Sequence, residues 1–408
     1  MGAAAAIGHL DADCFYISAE RVRNAFLVNK PVGVLGNQGA FVIAKSYEMK
    51  AAGVKTGDPI WEAIVKCPEG VYLKRDFRWY EVLSRLMLDV VREFSPEVEY
   101  YSIDEFFFRA LPGKGLSLQE TAEVMRNRIL QQVRVPVTVG IARSKTLAKL
   151  ISDQAKPFGA LALVDPEAER ALLDRTPVQE ICGIGERRAK RLAEHKLFTA
   201  LDLALANRKL IRSLLTAVGE AIWYELNGDP VLPLYSQRPP HKMLSRGGAI
   251  GKPSAEPDYI WGWLVRSLER LVEELEYHRV YAGRLEVWVM HYDGRTGVGK
   301  VELNGPTDRF DLLLEAARLG LRRACLPRQT VARLNLVATH LQWPGSVQLG
   351  LFDPPAERAE RLARLKREVN DRCGRFAVRS GATLFINEFY KDEAYGYEVC
   401  DVRGKICF

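Results

Sequence analysis

Two short acidic stretches carry most of the chemistry in this sequence. Leu10-Asp11-Ala12-Asp13 ends an apolar run, Ile7 to Asp11, that reads as a buried strand. Ser102-Ile103-Asp104-Glu105 falls between Val98 to Ile103 and Phe106 to Ala110, which also read as strands. Three carboxylates brought within ~4 Å of one another would repel by ~4 kcal/mol per pair at an effective dielectric near 20, so Asp11, Asp104 and Glu105 stay ionised together only around cations. Hard oxygen donors of this kind suit Mg²⁺, whose other sites take water and substrate phosphates. Two such ions ~3.5 to 4 Å apart activate an attacking oxygen and stabilise a leaving pyrophosphate. Adjacent residues on a flat strand point to opposite faces, so a hairpin turn is expected at Asp104-Glu105. A lone Asp-Glu pair more often caps or solvates a strand end, and Asp13 is read as such a structural acid.

The elements that must position these acids are legible from periodicity. Phe77 to Phe94 places Trp79, Val82, Leu83, Leu86, Met87, Val90, Val91 and Phe94 at helical spacing, with Pro96 after the end. Gln119 to Val133 reads as a second helix and Val135 to Ile141 as a β-branched strand. Strand, helix, strand, strand, helix, strand is the ferredoxin-like plan, in which the first and third strands are neighbours. The stretch Val22 to Lys74 is too long for a structureless loop and reads as a small inserted subdomain. Val178 to Leu215 reads as short helices with basic faces, and Pro233, Pro239 and Pro240 mark a linker. Beyond it the order recurs: strand Met243 to Ile250, helix Tyr259 to His278, strands Ala282 to Tyr292 and Gly297 to Leu303, helix Asp308 to Cys325, strand Ala332 to Gln342.

Composition narrows the class. The chain has 408 residues, enough for two to four domains with real cores. Apolar residues at 48% and charged residues at 27% exclude disorder as the main state, and no run approaches the ~20 uncharged residues of a membrane span. Met1 to Ile7 lacks the basic start of a signal peptide. The seven cysteines are scattered and form no CxxC pair, which argues against a disulfide framework or zinc site and for a cytoplasmic setting. The six histidines read as surface or packing residues. A net charge of +7 is a hint of polyanion binding.

Three ordered blocks now carry a resemblance. Asp11-Ala12-Asp13-Cys14-Phe15-Tyr16, then Tyr100-Tyr101-Ser102-Ile103-Asp104-Glu105, then Ser144-Lys145-Thr146-Leu147-Ala148-Lys149 through Ala155-Lys156-Pro157 resemble the signature blocks of the Y-family translesion DNA polymerases. Their order and separations match over about residues 7 to 345. The resemblance implies an α+β right-hand polymerase: a ferredoxin-like palm (1–22 and 75–165), fingers (23–74), a helical thumb (166–232), a linker (233–241), a second ferredoxin-like little finger (242–344) and a tail (345–408).

It also implies roles. Asp11 and Asp104 would bridge two Mg²⁺ ions, Glu105 would hold the ion that activates the primer 3′-hydroxyl, and the Ala12 carbonyl would ligate the nucleotide-bound ion. Phe15 and Tyr16 would face the incoming dNTP, with Tyr16 as the steric gate against a ribose 2′-hydroxyl. Tyr47 and Lys156 would hold the triphosphate, with Lys50 where many relatives carry Arg, a point charge in place of a bidentate fork. Cys182-Gly183-Ile184-Gly185 followed by Arg187, Arg188, Lys190 and Arg191 looks like the thumb's helix-hairpin-helix, in which Gly183, Gly185, Arg187 and Lys190 would meet the phosphates of primer-template DNA.

Gln348-Leu349-Gly350-Leu351-Phe352 resembles the peptide that docks on the bacterial sliding clamp. Asn37 to Pro59, Ser245 to Pro253 and the tail from Arg367 look closest to the UmuC type, the catalytic subunit of DNA polymerase V. That type implies a UmuD-type accessory dimer, a recombinase filament and the SOS response. Tyr395 to Phe408 departs from its ending, and a stand-alone DinB-type polymerase is the alternative. Two other classes share parts of the pattern: a nucleotide cyclase, which has no duplex to hold, and a catalytically silent DNA-binding scaffold.

Overall fold

The computed structural model describes residues 6–36, 41–237, 239–326, 329–343, 345, 357–374 and 376–390. The peptide 348–352 and the ending 395–408 lie outside the described residues. The chain divides into two compact units, Met1–Arg238 and Pro239–Lys405.

In the first unit, β1 (Ala6–Ala12) leads through α1 (Phe15–Arg23) into an insertion built of β2 (Val32–Leu35), β3 (Val42–Lys45), α2 (Tyr47–Ala51), α3 (Ile60–Lys66) and β4 (Val71–Lys74). The insertion has its own sheet, ordered β3-β2-β4, and small cores around Met49 and Val34. The main sheet resumes with α4 (Phe77–Phe94), β5 (Val98–Tyr100), β6 (Glu105–Ala110), α5 (Leu118–Val133), β7 (Val137–Ala142), α6 (Lys145–Ala155) and β8 (Ala160–Ala162). Side chains start these helices: Asp76 accepts from the Trp79 amide, and Ser117 and Glu120 form a capping box on α5.

The main sheet is ordered β5-β6-β1-β7-β8, so β1 lies between β6 and β7, antiparallel to both. Strand alternation decides which residues face which layer. Leu10, Ala12, Phe106, Phe108, Val137, Val139 and Ile141 enter the core beneath α4 and α5. Ile7, Phe107 and Ala142 point the other way, into the core shared with α6 and the helices that follow. Those helices are α7 (Pro166–Arg175), α8 (Glu186–Ala193), α9 (Ala200–Leu205) and α10 (Arg208–Leu226).

The second unit comprises β9 (Met243–Ser254), α11 (Pro257–His278), β10 (Ala282–His291), β11 (Thr296–Thr307), α12 (Phe310–Ala324) and β12 (Val331–Thr339). It repeats the expected element order, but its sheet runs β11-β10-β12-β9. In the first unit the first and third strands of the repeat are central; here the second and fourth are. The likeness between the units therefore stops at element order. Strands β9 and β11 also run past the expected ends at Ile250 and Leu303, through Pro253 and Pro306, which edge strands tolerate because one side of their ladder needs no donor.

Helix α13 (Glu357–Cys373) and a 3₁₀ segment (Gly381–Tyr390) close the described chain. Ile386 enters the core of this unit, while Glu269 of α11 accepts from the Ser380 amide at 2.8 Å and from Lys366 at 3.2 Å.

Candidate active site on the central strands of the first sheet

Asp11 near the end of β1 and Glu105 at the start of β6 are directly opposed in the antiparallel register. Alternation sets both on the face covered by α6, together with His9 and Phe107. The expected turn is present: the Tyr101 and Ser102 amides both donate to the Glu105 carbonyl, at 3.1 and 3.0 Å. Asp104 sits in that turn, its carboxylate accepting from Ser102 Oγ at 2.5 Å and its carbonyl accepting from the Ala12 amide at 2.9 Å.

Among the described residues, one group of acids and histidines has ligand atoms within 4.8 Å of one another: His9, Asp11 and Glu105. The structure thus joins Asp11 to Glu105 and leaves Asp104 beside them, turned toward Ser102. Asp13 behaves as the structural acid expected, accepting from Thr138 Oγ1 at 3.0 Å and from the Phe158 amide at 2.8 Å.

Each central acid meets a lysine from α6 or its end. Lys156 Nζ donates to Asp11 at 2.8 Å and to Asp153 at 2.9 Å; Lys149 Nζ donates to Glu105. Burial pushes the Asp11 carboxyl up to about 7, against the pull of Lys156, with Glu105 pushing it further up. Burial also raises Asp104, and Ser102 opposes the shift. Burial holds His9 well below its ordinary value, with Lys149 adding to the effect, so its ring is neutral. Ser152 Oγ lies 2.8 Å from the Lys149 carbonyl and 2.7 Å from His9 Nδ1. His9 Nε2 lies 4.0 Å from Glu105 and is buried without a hydrogen-bond partner.

The remaining expected residues spread around this centre. Tyr16 stacks on Tyr80 with ring centroids 4.7 Å apart, and Phe77 lies 5.6 Å from it. Phe15, expected at the nucleotide, is 3% exposed and packs in the core against Tyr80. Tyr47 and Lys50 are exposed on α2, whose start is capped by Ser46. Gly183 adopts φ 90°, and Gly185 is the N-cap of α8, where Arg187 and Lys190 are exposed. Lys190 also pairs with Glu186 at 2.8 Å.

Sequence reasoning misses His9, because an isolated histidine reads as a packing or surface residue, and Lys149, because its partner lies 44 residues away on another element. Signals existed: His9 is two residues before Asp11 on one strand face, and Lys149, Asp153 and Lys156 recur at helical spacing.

Two family models match the chain. Residues 10–153 match the impB/mucB/samB family and residues 241–351 match that family's C-terminal domain. DNA polymerase IV 1 of Bacillus subtilis (strain 168) is 29% identical, over 95% of this chain and 98% of its own length. DNA polymerase IV of Oceanobacillus iheyensis is 35% identical over 76% and 75%, and Protein MucB of Salmonella typhimurium is 30% identical over 89% and 90%. Among solved structures, the Y-family DNA polymerase chimera Dbh-Dpo4(243-245)-Dbh shares the fold, with a TM-score of 0.69, 21% identity, and coverage of 83% of this chain and 99% of the other. An insertion ternary complex of Dbh DNA polymerase gives a TM-score of 0.55 at 21% identity, covering 83% and 99%.

The chain belongs to the impB/mucB/samB family of Y-family DNA polymerases. It is a DNA-directed DNA polymerase of the translesion class, DinB-like in its relatives.

Proposed function

We propose that the first unit adds dNTPs to a primer 3′-hydroxyl opposite damaged template bases, with Asp11, Glu105 and Asp104 holding two Mg²⁺ ions. The observation that carries this reading is the opposition of Asp11 and Glu105 on neighbouring strands, each already matched to a cation. The donors fit: all three carboxylates are hard oxygen ligands, and Asp11 is buried where only a cation or a proton settles its charge. When bound, the ions would polarise the attacking and leaving oxygens of a phosphoryl transfer. The Ala12 carbonyl, beside Asp11, would add a ligand.

The chain's own residues supply positioning. Lys156, freed from Asp11, would hold a triphosphate oxygen, while Tyr47 and Lys50 on α2 would meet the same group. Tyr16, braced by Tyr80 and Phe77, would put its ring under the sugar. Residues 1–22 with 75–165 would act as palm, 23–74 as fingers, 166–232 as thumb and 242–344 as little finger, gripping primer-template DNA through phosphates. Gln348, Leu349, Leu351 and Phe352 would dock on a sliding clamp. The relatives named DNA polymerase IV favour a stand-alone enzyme, and the relative named Protein MucB keeps the UmuC-type reading, with its accessory dimer, as the second one.

The test is primer extension across an abasic site, with and without clamp and accessory subunits, using wild type, Asp11→Asn and Glu105→Gln. Loss of a charged ligand from the reacting centre is expected to cost at least ~10³-fold in kcat while circular dichroism stays unchanged. Extension undiminished in both variants would remove these acids from catalysis. Cyclic nucleotide formed without primer would favour the cyclase class.

A further inference from the structure

We propose that Lys149 is a stand-in for a divalent ion at Glu105: its ammonium holds the carboxylate while no ion is bound, and must leave for an ion to bind. The inference rests on the metal reading above and adds a residue that sets the affinity of the site.

Three groups that can ligate a metal converge on one place. Ligand atoms of His9, Asp11 and Glu105 lie within 4.8 Å of one another, and His9 Nε2 is buried without a hydrogen-bond partner. Such a set is unstable unless a positive group stands among or against it. Lys149 supplies that group at Glu105, as Lys156 does at Asp11, from a side chain as little exposed as the acid it meets.

The lysine is held there by the packing of its helix. Gly140 of β7 has no side chain, and a Cβ there would lie 2.5 Å from both the Ala148 carbonyl and the Ser152 amide, so α6 can lie directly on the sheet. Ser152 Oγ then ties the Lys149 carbonyl to His9. This packing holds the backbone on either side of Lys149 against the sheet and leaves its side chain to reach Glu105.

The two lysines of the site differ in what they can do once displaced. Lys156 keeps Asp153, 2.9 Å away. Lys149 has the face of Tyr101, whose ring centre is 5.8 Å from Nζ and whose side chain is exposed to solvent. An arriving divalent ion must compete with the ammonium for Glu105, because like charges at that separation repel. Lys149 therefore keeps the ion-free site folded and sets a threshold against ion binding.

The test is binding of Mn²⁺ to the full chain, followed by loss of the free-ion paramagnetic resonance signal, with melting temperature in EDTA measured alongside. Lys149→Met is expected to bind Mn²⁺ about tenfold tighter than wild type, the size of one charge contact at a part-buried site, and to melt lower in EDTA. Lys149→Gln, a second neutral variant, should do the same, and Lys149→Arg, which keeps the charge, should resemble wild type. Mn²⁺ binding that is unchanged or weaker in both neutral variants, while wild type saturates, would overturn the stand-in role and make Lys149 a prop for Glu105. A wild type that takes up no Mn²⁺, with Asp11→Asn no different, would overturn the metal reading itself.

Discussion

Gly140 and Ser152 approach so closely that a methyl group on the glycine would lie 2.5 Å from the serine amide nitrogen. This contact lets α6 rest on β7, and α6 is the element that brings Lys149 and Lys156 to the acids. Gly140→Ala is expected to lift the helix, costing ~1 to 3 kcal/mol of stability as overpacked sites do. Polymerase activity should fall more than the unfolded fraction explains. Urea unfolding alongside primer extension at a temperature where the variant is fully folded checks this; full activity there would show that helix seating is not critical.

Tyr16 rests on Tyr80 with the rings nearly parallel, 17° apart. Tyr16→Ala should raise ribonucleotide incorporation at least about tenfold and cost ~1 to 3 kcal/mol from lost packing and stacking. The readout is the ratio of kcat/KM for a ribonucleotide and its deoxy counterpart. A ratio that stays constant would take the gate role away from this ring.

Asp11 makes the ion-free protein sensitive to pH. Its carboxyl is raised from 3.8 to about 7 by burial, so between those values the native state binds a proton that the unfolded chain releases. Its contribution to stability is therefore fully present below about pH 4 and is lost as pH rises through about 7. In EDTA, the wild-type melting temperature should fall across that window more than that of Asp11→Asn. Cation binding needs the ionised form, so primer extension should run the other way and rise through the same range. Parallel melting curves for the two proteins would mean that Asp11 keeps an ordinary carboxyl.

Leu351 and Phe352 belong to the peptide that resembles a clamp ligand. Replacing both by Ala should abolish stimulation by the clamp and leave synthesis on bare primer-template intact, since a tethered short peptide contributes through effective concentration. Equal losses in the two assays would mean that the residues serve the fold.

Periodicity and turn chemistry were enough to read most of the elements, because they are local properties. The apolar stripe of α4 and the strand through Asp11 follow from neighbours a few residues away, whereas the turn before Glu105 is expected from the demand that adjacent acids on a strand reach one centre. Pro253 and Pro306 hid the true ends of β9 and β11, since whether a proline interrupts a strand depends on its being at an edge. The acids were recognisable as residue types in ordered blocks. Which of them touch was decided by strand pairing, which set Asp11 against Glu105 and turned Asp104 toward Ser102. The same alternation set His9 beside the acids, and helix packing on Gly140 delivered Lys149 to Glu105. Composition and spacing determine what a side chain can do; distances across a sheet and a helix determine what it meets, and those exist only once the layers have closed.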